Sequence, residues 1–75
     1  MTNEDAIQLI EEAVAADTGT VRGTETLSDI KWDSMASLSL IALVDDRFQR
    51  ELDAKLIAKC RTVPDLVALL REVAG

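Results

Sequence analysis

An all-α four-helix bundle is the fold this sequence predicts, and three observations predict it. Aromatics are 3% of a composition that is 48% hydrophobic, so Leu, Ile, Val and Ala must fill the core and strand-forming aromatics are scarce. Three Gly and one Pro leave few tight turns, which disfavours an all-β fold. Apolar residues recur at three- and four-residue spacing in several stretches. Seventy-five residues bound the chain to a single domain, 1–75, with a modest core. The expected bundle is of right-handed type, with three longer helices, one short helix and a long first loop.

The first helix is expected from about Asn3 to Ala16. Thr2 or Asn3 can cap it, and Glu4 and Asp5 suit its first turn. Ile7, Ile10 and Val14 form its apolar face with Ala6 and Ala13 beside them, and Gln8, Glu11 and Glu12 fall on the wet face. A polar loop follows from Asp17 to about Trp32, too rich in Gly and Thr for a helix. So long a loop implies either function or anchors of its own. Leu27, Ile30 and Val21 are the candidate anchors, with a short turn at Leu27-Ser28-Asp29-Ile30.

The second helix is expected from Ser34 to about Arg50. Leu38, Ile41, Val44 and Phe48 trace one stripe, and Leu40 and Leu43 widen it beyond the usual arc. Asp45, Asp46, Arg47, Gln49 and Arg50 mark its solvated end. A short third helix is expected over Ala54 to Lys59, capped by Asp53. The fourth starts near Thr62, with Thr62 as cap, Pro64 in the first turn and Asp65 at the positive end. Val63, Leu66, Leu69, Leu70 and Val73 supply its apolar face, and Gly75 closes it.

Eight basic against fourteen acidic residues give a formal charge of -6. A nucleic-acid partner is excluded on that balance, because neutralising phosphates needs a basic face. Basic protein surfaces fit better. No apolar stretch reaches the length of a membrane span, and the start is acidic where a targeting peptide would not be. A cytoplasmic monomer is the expectation. Cys60 is the sole cysteine, so no internal disulfide is expected, and it reads as a small buried residue.

Several chemistries are absent. Without histidine there is no Ser-His-Asp or Cys-His arrangement and no zinc set built on Cys60. No glycine-rich phosphate loop is present. Glu11-Glu12 and Asp45-Asp46 are adjacent on helices, so they read as solvated faces rather than acid–base pairs. The chain is not expected to be an enzyme.

One constellation stands out. Asp33-Ser34-Met35 falls where the loop becomes the very apolar second helix. It puts an exposed hydroxyl beside the positive end of a helix dipole, a favourable place for a phosphodiester. On its own the pair is an ordinary N-cap. The context is wider: the triplet follows a long loop, sits near mid-chain in a small acidic helical domain, and is followed by Phe48 and by Thr62-Val63 opening the last helix.

These residues together resemble an acyl carrier protein over nearly the whole chain. Asp33-Ser34-Met35 falls on the family's Asp-Ser-Leu attachment motif, Leu38 to Val44 on its apolar second helix, and Asp45-Asp46-Arg47-Phe48 on an acidic cluster ending in a core phenylalanine. The resemblance implies that Ser34 is the attachment point of 4'-phosphopantetheine, transferred from coenzyme A by a phosphopantetheinyl transferase with magnesium. It implies that Asp33 caps the helix and helps present Ser34, and that Met35 contacts partners. It further implies a groove between helices 2 and 3 for an apolar chain, with Leu40, Leu43, Ile57 and Cys60 as lining; core packing explains each of these four equally well.

The chain departs from the fatty-acid carrier pattern just after the serine. Acids are usual there, and this sequence has Ala36, Ser37 and Ser39. Its third helix carries Lys55 and Lys59, and Arg47 and Arg50 add positive charge. This points to a specialised carrier with its own acyl ligases or synthases, holding fatty or polyketide-like groups as thioesters. An aminoacyl carrier of D-alanyl type, which also uses Asp-Ser-Met, is the alternative, and an unmodified helical adaptor is a third. Lys31-Trp32 replaces the Gly-Gly usual in peptidyl carriers. Trp32 is expected to pack over the loop or beside the arm.

Overall fold

The computed structural model describes residues 1–74, and the expected closure of the last helix by Gly75 lies outside the described residues. The elements, in order, are α1 (Asn3–Ala13), α2 (Ser34–Phe48), α3 (Ala54–Ala58) and α4 (Val63–Ala74). Among the described residues the only pairing outside helices is an isolated antiparallel bridge, Thr26 to Thr62. The fold class is therefore the expected one. α1 packs against both α2 and α4, and the short α3 joins α2 to α4. One continuous core runs between them, with Ile10, Leu40, Val44, Val63, Leu66 and Leu70 essentially inaccessible.

The starts of the helices follow from local chemistry. Thr2 and Asp5 form a reciprocal capping box on α1, and Thr62 and Asp65 exchange the same pair of hydrogen bonds on α4. Asp53 caps α3 by accepting from the Lys55 N–H at 2.8 Å. These backbone hydrogen bonds, from Thr2 and Arg61 respectively in first place, hold the Asp5 and Asp65 carboxyls below the usual carboxylate range.

The end of α1 differs from expectation. The helix stops at Ala13, not Ala16, because Ala15 adopts a left-handed conformation with φ of 57°. The Ala16 N–H then donates to the Glu11 carbonyl at 2.8 Å and the Ala15 N–H to the Glu12 carbonyl at 3.1 Å. This is a Schellman closure with alanine where glycine is usual, so the sequence carried no stop signal. α2 ends two residues early for a related reason, with Gln49 left-handed at φ of 49°.

Two packing assignments are corrected. Glu11 is not on the wet face: it is 3% exposed, and its Oε2 accepts the Gly19 N–H at 2.8 Å and the Val21 N–H at 2.9 Å. A buried carboxylate is costly unless hydrogen-bonded, and here two backbone donors of the loop satisfy it. Glu12 does face solvent, where it pairs with Arg47 of α2 in an exposed two-pronged contact of 2.6 and 2.9 Å. Leu38 is not part of the core stripe either. It is 63% exposed, and the buried face of α2 is Ala36, Leu40 and Val44, spaced four apart. Ile41, Leu43 and Phe48 flank that face at partial burial.

The long loop is anchored as expected by Val21 and Leu27, with Ile30 packed against the core. Polar ties complete it. The Glu25 carboxylate accepts N–H groups from Arg22, Gly23 and Thr24, which lowers its pKa from the ordinary value. The Leu27 N–H donates to the Arg61 carbonyl and the Val63 N–H to the Glu25 carbonyl, fastening the loop to the α3–α4 connection.

Candidate functional site

Asp33 is the N-cap of α2 in extended backbone, and its Oδ1 accepts the Ala36 N–H at 2.8 Å. Its carbonyl accepts the first intrahelical bond, from the Ser37 N–H at 3.1 Å. Ser34 is therefore the first residue inside the helix, and its side chain is exposed. The Ser34 and Met35 N–H groups have no intrahelical acceptor at this position and point with the positive end of the dipole.

The approach to Asp33 is held by its neighbours. Lys31 is left-handed, with φ of 57°, and closes a turn whose bonds run from Lys31 N–H to the Ser28 carbonyl and from Trp32 N–H to the Leu27 carbonyl. The Trp32 indole N–H donates to Ser37 Oγ at 3.0 Å, and that hydroxyl donates to the Asp33 carbonyl at 3.3 Å. Trp32 is half-buried against the core, with its indole N–H turned to the first turn of α2. This chain of bonds joins loop and first turn, and fixes the backbone on both sides of Ser34.

A hydroxyl so placed is accessible to another protein, and the free N–H groups favour negative charge next to it. These features suit a phosphodiester at the start of α2. A family model described as a phosphopantetheine attachment site matches residues 4–70. The chain belongs to this family. It is a phosphopantetheine-bearing carrier protein, and its prosthetic group is covalent 4'-phosphopantetheine. Comparison with curated proteins and with solved structures gives no match. Among the described residues no helix of the carrier is long and apolar enough to cross a membrane.

Outside the Asp33-Ser34-Met35 triplet, the carrier's other candidate residues separate. Leu40 and Ile57 are core, while Leu43 and Cys60 are half-buried at its edge. Burial, together with the nearby Asp65 charge, pushes the Cys60 thiol up from its ordinary value. Met35 is 71% exposed beside Ser34. With Leu38 and Ala42 it makes an outward apolar stripe at spacings of three and four. An open cleft of about 540 Å³ lies between the end of α1, the loop and the first turns of α2, with Asp33 and Met35 among its lining.

Sequence reasoning did not find that cleft or the Glu11 tie. The signal for Glu11 was present: Ile7, Glu11 and Val14 share one face, so the acid interrupts an apolar stripe.

Proposed function

We propose that Ser34 is the residue modified, and that this single carrier domain shuttles thioester-bound acyl groups between enzymes of a dedicated pathway. The observation that carries the assignment is an exposed serine hydroxyl at the first position of α2, behind an Asp33 cap, in a chain of the phosphopantetheine attachment family. In loading, Ser34 Oγ forms a bond to the phosphorus that bears the pantetheine group in coenzyme A. The bond to the nucleotide phosphate breaks, and 3',5'-ADP leaves. A transferase must supply the base and magnesium, because nothing beside Ser34 would take its proton. When bound, the arm's terminal thiol carries the acyl group. Asp33 and the Trp32–Ser37 contact act by holding the first turn rigid while the transferase docks. The chain itself performs no catalysis.

The outward stripe of Met35, Leu38 and Ala42 supports docking by apolar contact rather than by the acidic face common among fatty-acid carriers. Partner enzymes that recognise it are expected to bind with little salt dependence. A fatty or polyketide-like cargo is the first reading. The filling of the α2–α3 seam by Leu40, Val44, Ile57 and Val63, each at most 2% exposed, favours a smaller acyl or aminoacyl group as the second. A cytoplasmic monomer fits both.

Intact mass after incubation with coenzyme A, magnesium and a broad-specificity phosphopantetheinyl transferase tests the assignment, with Ser34→Ala alongside. Wild type gains one phosphopantetheinyl group and the variant gains none. Equal loading of both would remove Ser34 from the role.

A further inference from the structure

We infer that the groove between α1 and α4 holds a short acidic segment of a partner polypeptide, with carboxylates on Arg22 and Arg71 and an apolar side chain between them. The inference does not depend on Ser34 being modified. The groove has a volume of about 470 Å³ and joins three parts of the fold: the first turns of α1, the outer face of α4 and the loop at Arg22 and Gly23. Its apolar surface comes from Ile7 and Val67, with Pro64 and Ala68 exposed beside them. From Pro64 to Arg71, α4 runs along it for about 10 Å, the span of roughly three extended residues.

Charge selects the occupant. The chain has a formal charge of -6, yet two arginines and no acid line this groove. Among the described residues the one ion pair is Arg47 with Glu12, so no carboxylate there neutralises Arg22 or Arg71. Arg71 Nη1 donates to Asn3 Oδ1 at 3.0 Å, which orients the guanidinium and leaves its other N–H groups for a carboxylate. Arg22 stands on a fixed backbone. Its N–H and that of Gly23 both donate to the Glu25 carboxylate at 2.8 Å, so this neighbouring acid is already engaged. The loop also lies directly on α1, because a Cβ at Gly23 would come to 2.9 Å from Ile7 Cδ1. Glu4 and Glu72, next in sequence to Asn3 and Arg71, lie outside the lining.

Position gives the contact its use. The groove is at the start of α1, and the cleft lined by Asp33 and Met35 is at its end, about 15 Å along the helix axis. No residue of α2 lines the groove. A partner seated there holds the carrier and leaves the start of α2 open to a second protein.

The test is an NMR titration of the isotope-labelled chain at low salt with the acetylated, amidated peptide Glu-Glu-Leu-Leu-Glu-Glu. Saturable shifts of the Ile7, Val67 and Ala68 methyls are expected. Shifts confined to other residues, or none, would overturn the proposal. The peptide Gln-Gln-Leu-Leu-Gln-Gln is expected to bind about three- to tenfold more weakly, as for the loss of two exposed charge pairs. A similar weakening is expected for the acidic peptide with the Arg22→Gln/Arg71→Gln double variant, and with wild type in about 1 M salt. Equal binding in these arms would remove the arginines, and the inference with them. Should the double variant lose helical circular dichroism, the neutral peptide and the salt arm decide. Acetate giving the same shifts at equal carboxylate concentration would leave only a small-anion site and overturn the proposal. Shifts at Ile7 and Ala68 on concentrating the protein alone would make the occupant a second copy, with the same result. Ser34→Ala is expected to bind the peptide as wild type does, so failure here is separable from failure of loading.

Discussion

The two faces of α2 are built from the same kinds of residue and meet different fates. Ala36, Leu40 and Val44 turn inward and are buried, while Met35, Leu38 and Ala42 turn outward and stay in solvent. Nothing in the residue types separates Leu40 from Leu38. Only the position of α1, and of the α3–α4 layer, decides which leucine is core. The docking proposed above rests on this open apolar face, since single exposed leucines are ordinary but an aligned stripe is not.

The sharpest way to break this comparison is to truncate both leucines. Leu40→Ala is expected to destabilise by about 2–5 kcal/mol, the usual cost of emptying a fully buried leucine site. Leu38→Ala is expected to stay within about 0.5 kcal/mol, as for other surface changes. Urea unfolding followed by circular dichroism measures both. Similar losses for the two would erase the distinction between the faces.

A smaller effect is expected at the loop. Glu11→Leu preserves the apolar character of the α1 face and removes the acceptor of the Gly19 and Val21 N–H groups. Stranding the buried Val21 donor costs about 1–3 kcal/mol. Hydrogen exchange at Val21 should accelerate more than exchange at Leu66, because the damage is local to the loop.

The smallest effect is acid dependence. Asp5, Glu25 and Asp65 are held below the ordinary carboxylate range by backbone donors. Their folded pKa values lie below the unfolded ones, so the stability they add is complete above the unfolded values and is lost as pH falls through the folded ones. Melting temperature is expected to be flat from neutral pH down to the carboxylate range and to decline below it. All three groups are solvated, so the decline should be gentle.

Legibility in the sequence divides along similar lines. The helices and their caps at Thr2, Asp33, Asp53 and Thr62 were readable because a capping side chain and the N–H that donates to it are two or three residues apart. The loop anchors were readable as isolated apolar residues in a polar stretch. Ser34 stood out by position, at the junction of loop and apolar helix. The end of α1 was hidden because Ala15 takes a conformation that alanine rarely adopts. The place of Glu11 on an apolar face was legible, but its bonding partners were hidden because they lie eight and ten residues on, beyond local pattern. The cleft was hidden because it belongs to no single segment. Two ends of the chain's architecture, α1 and α2, have to meet before it exists.

The Trp32–Ser37 hydrogen bond has a spectroscopic consequence. This chain has one tryptophan and no tyrosine, so its near-ultraviolet emission comes from a single indole. That indole is half-buried and bonded to the first turn of α2, three residues from the hydroxyl of Ser34. A change in the first turn alters the indole's hydrogen bond and surroundings, and so its colour and intensity. The carrier has a built-in optical gauge of events at the start of α2, readable without a label.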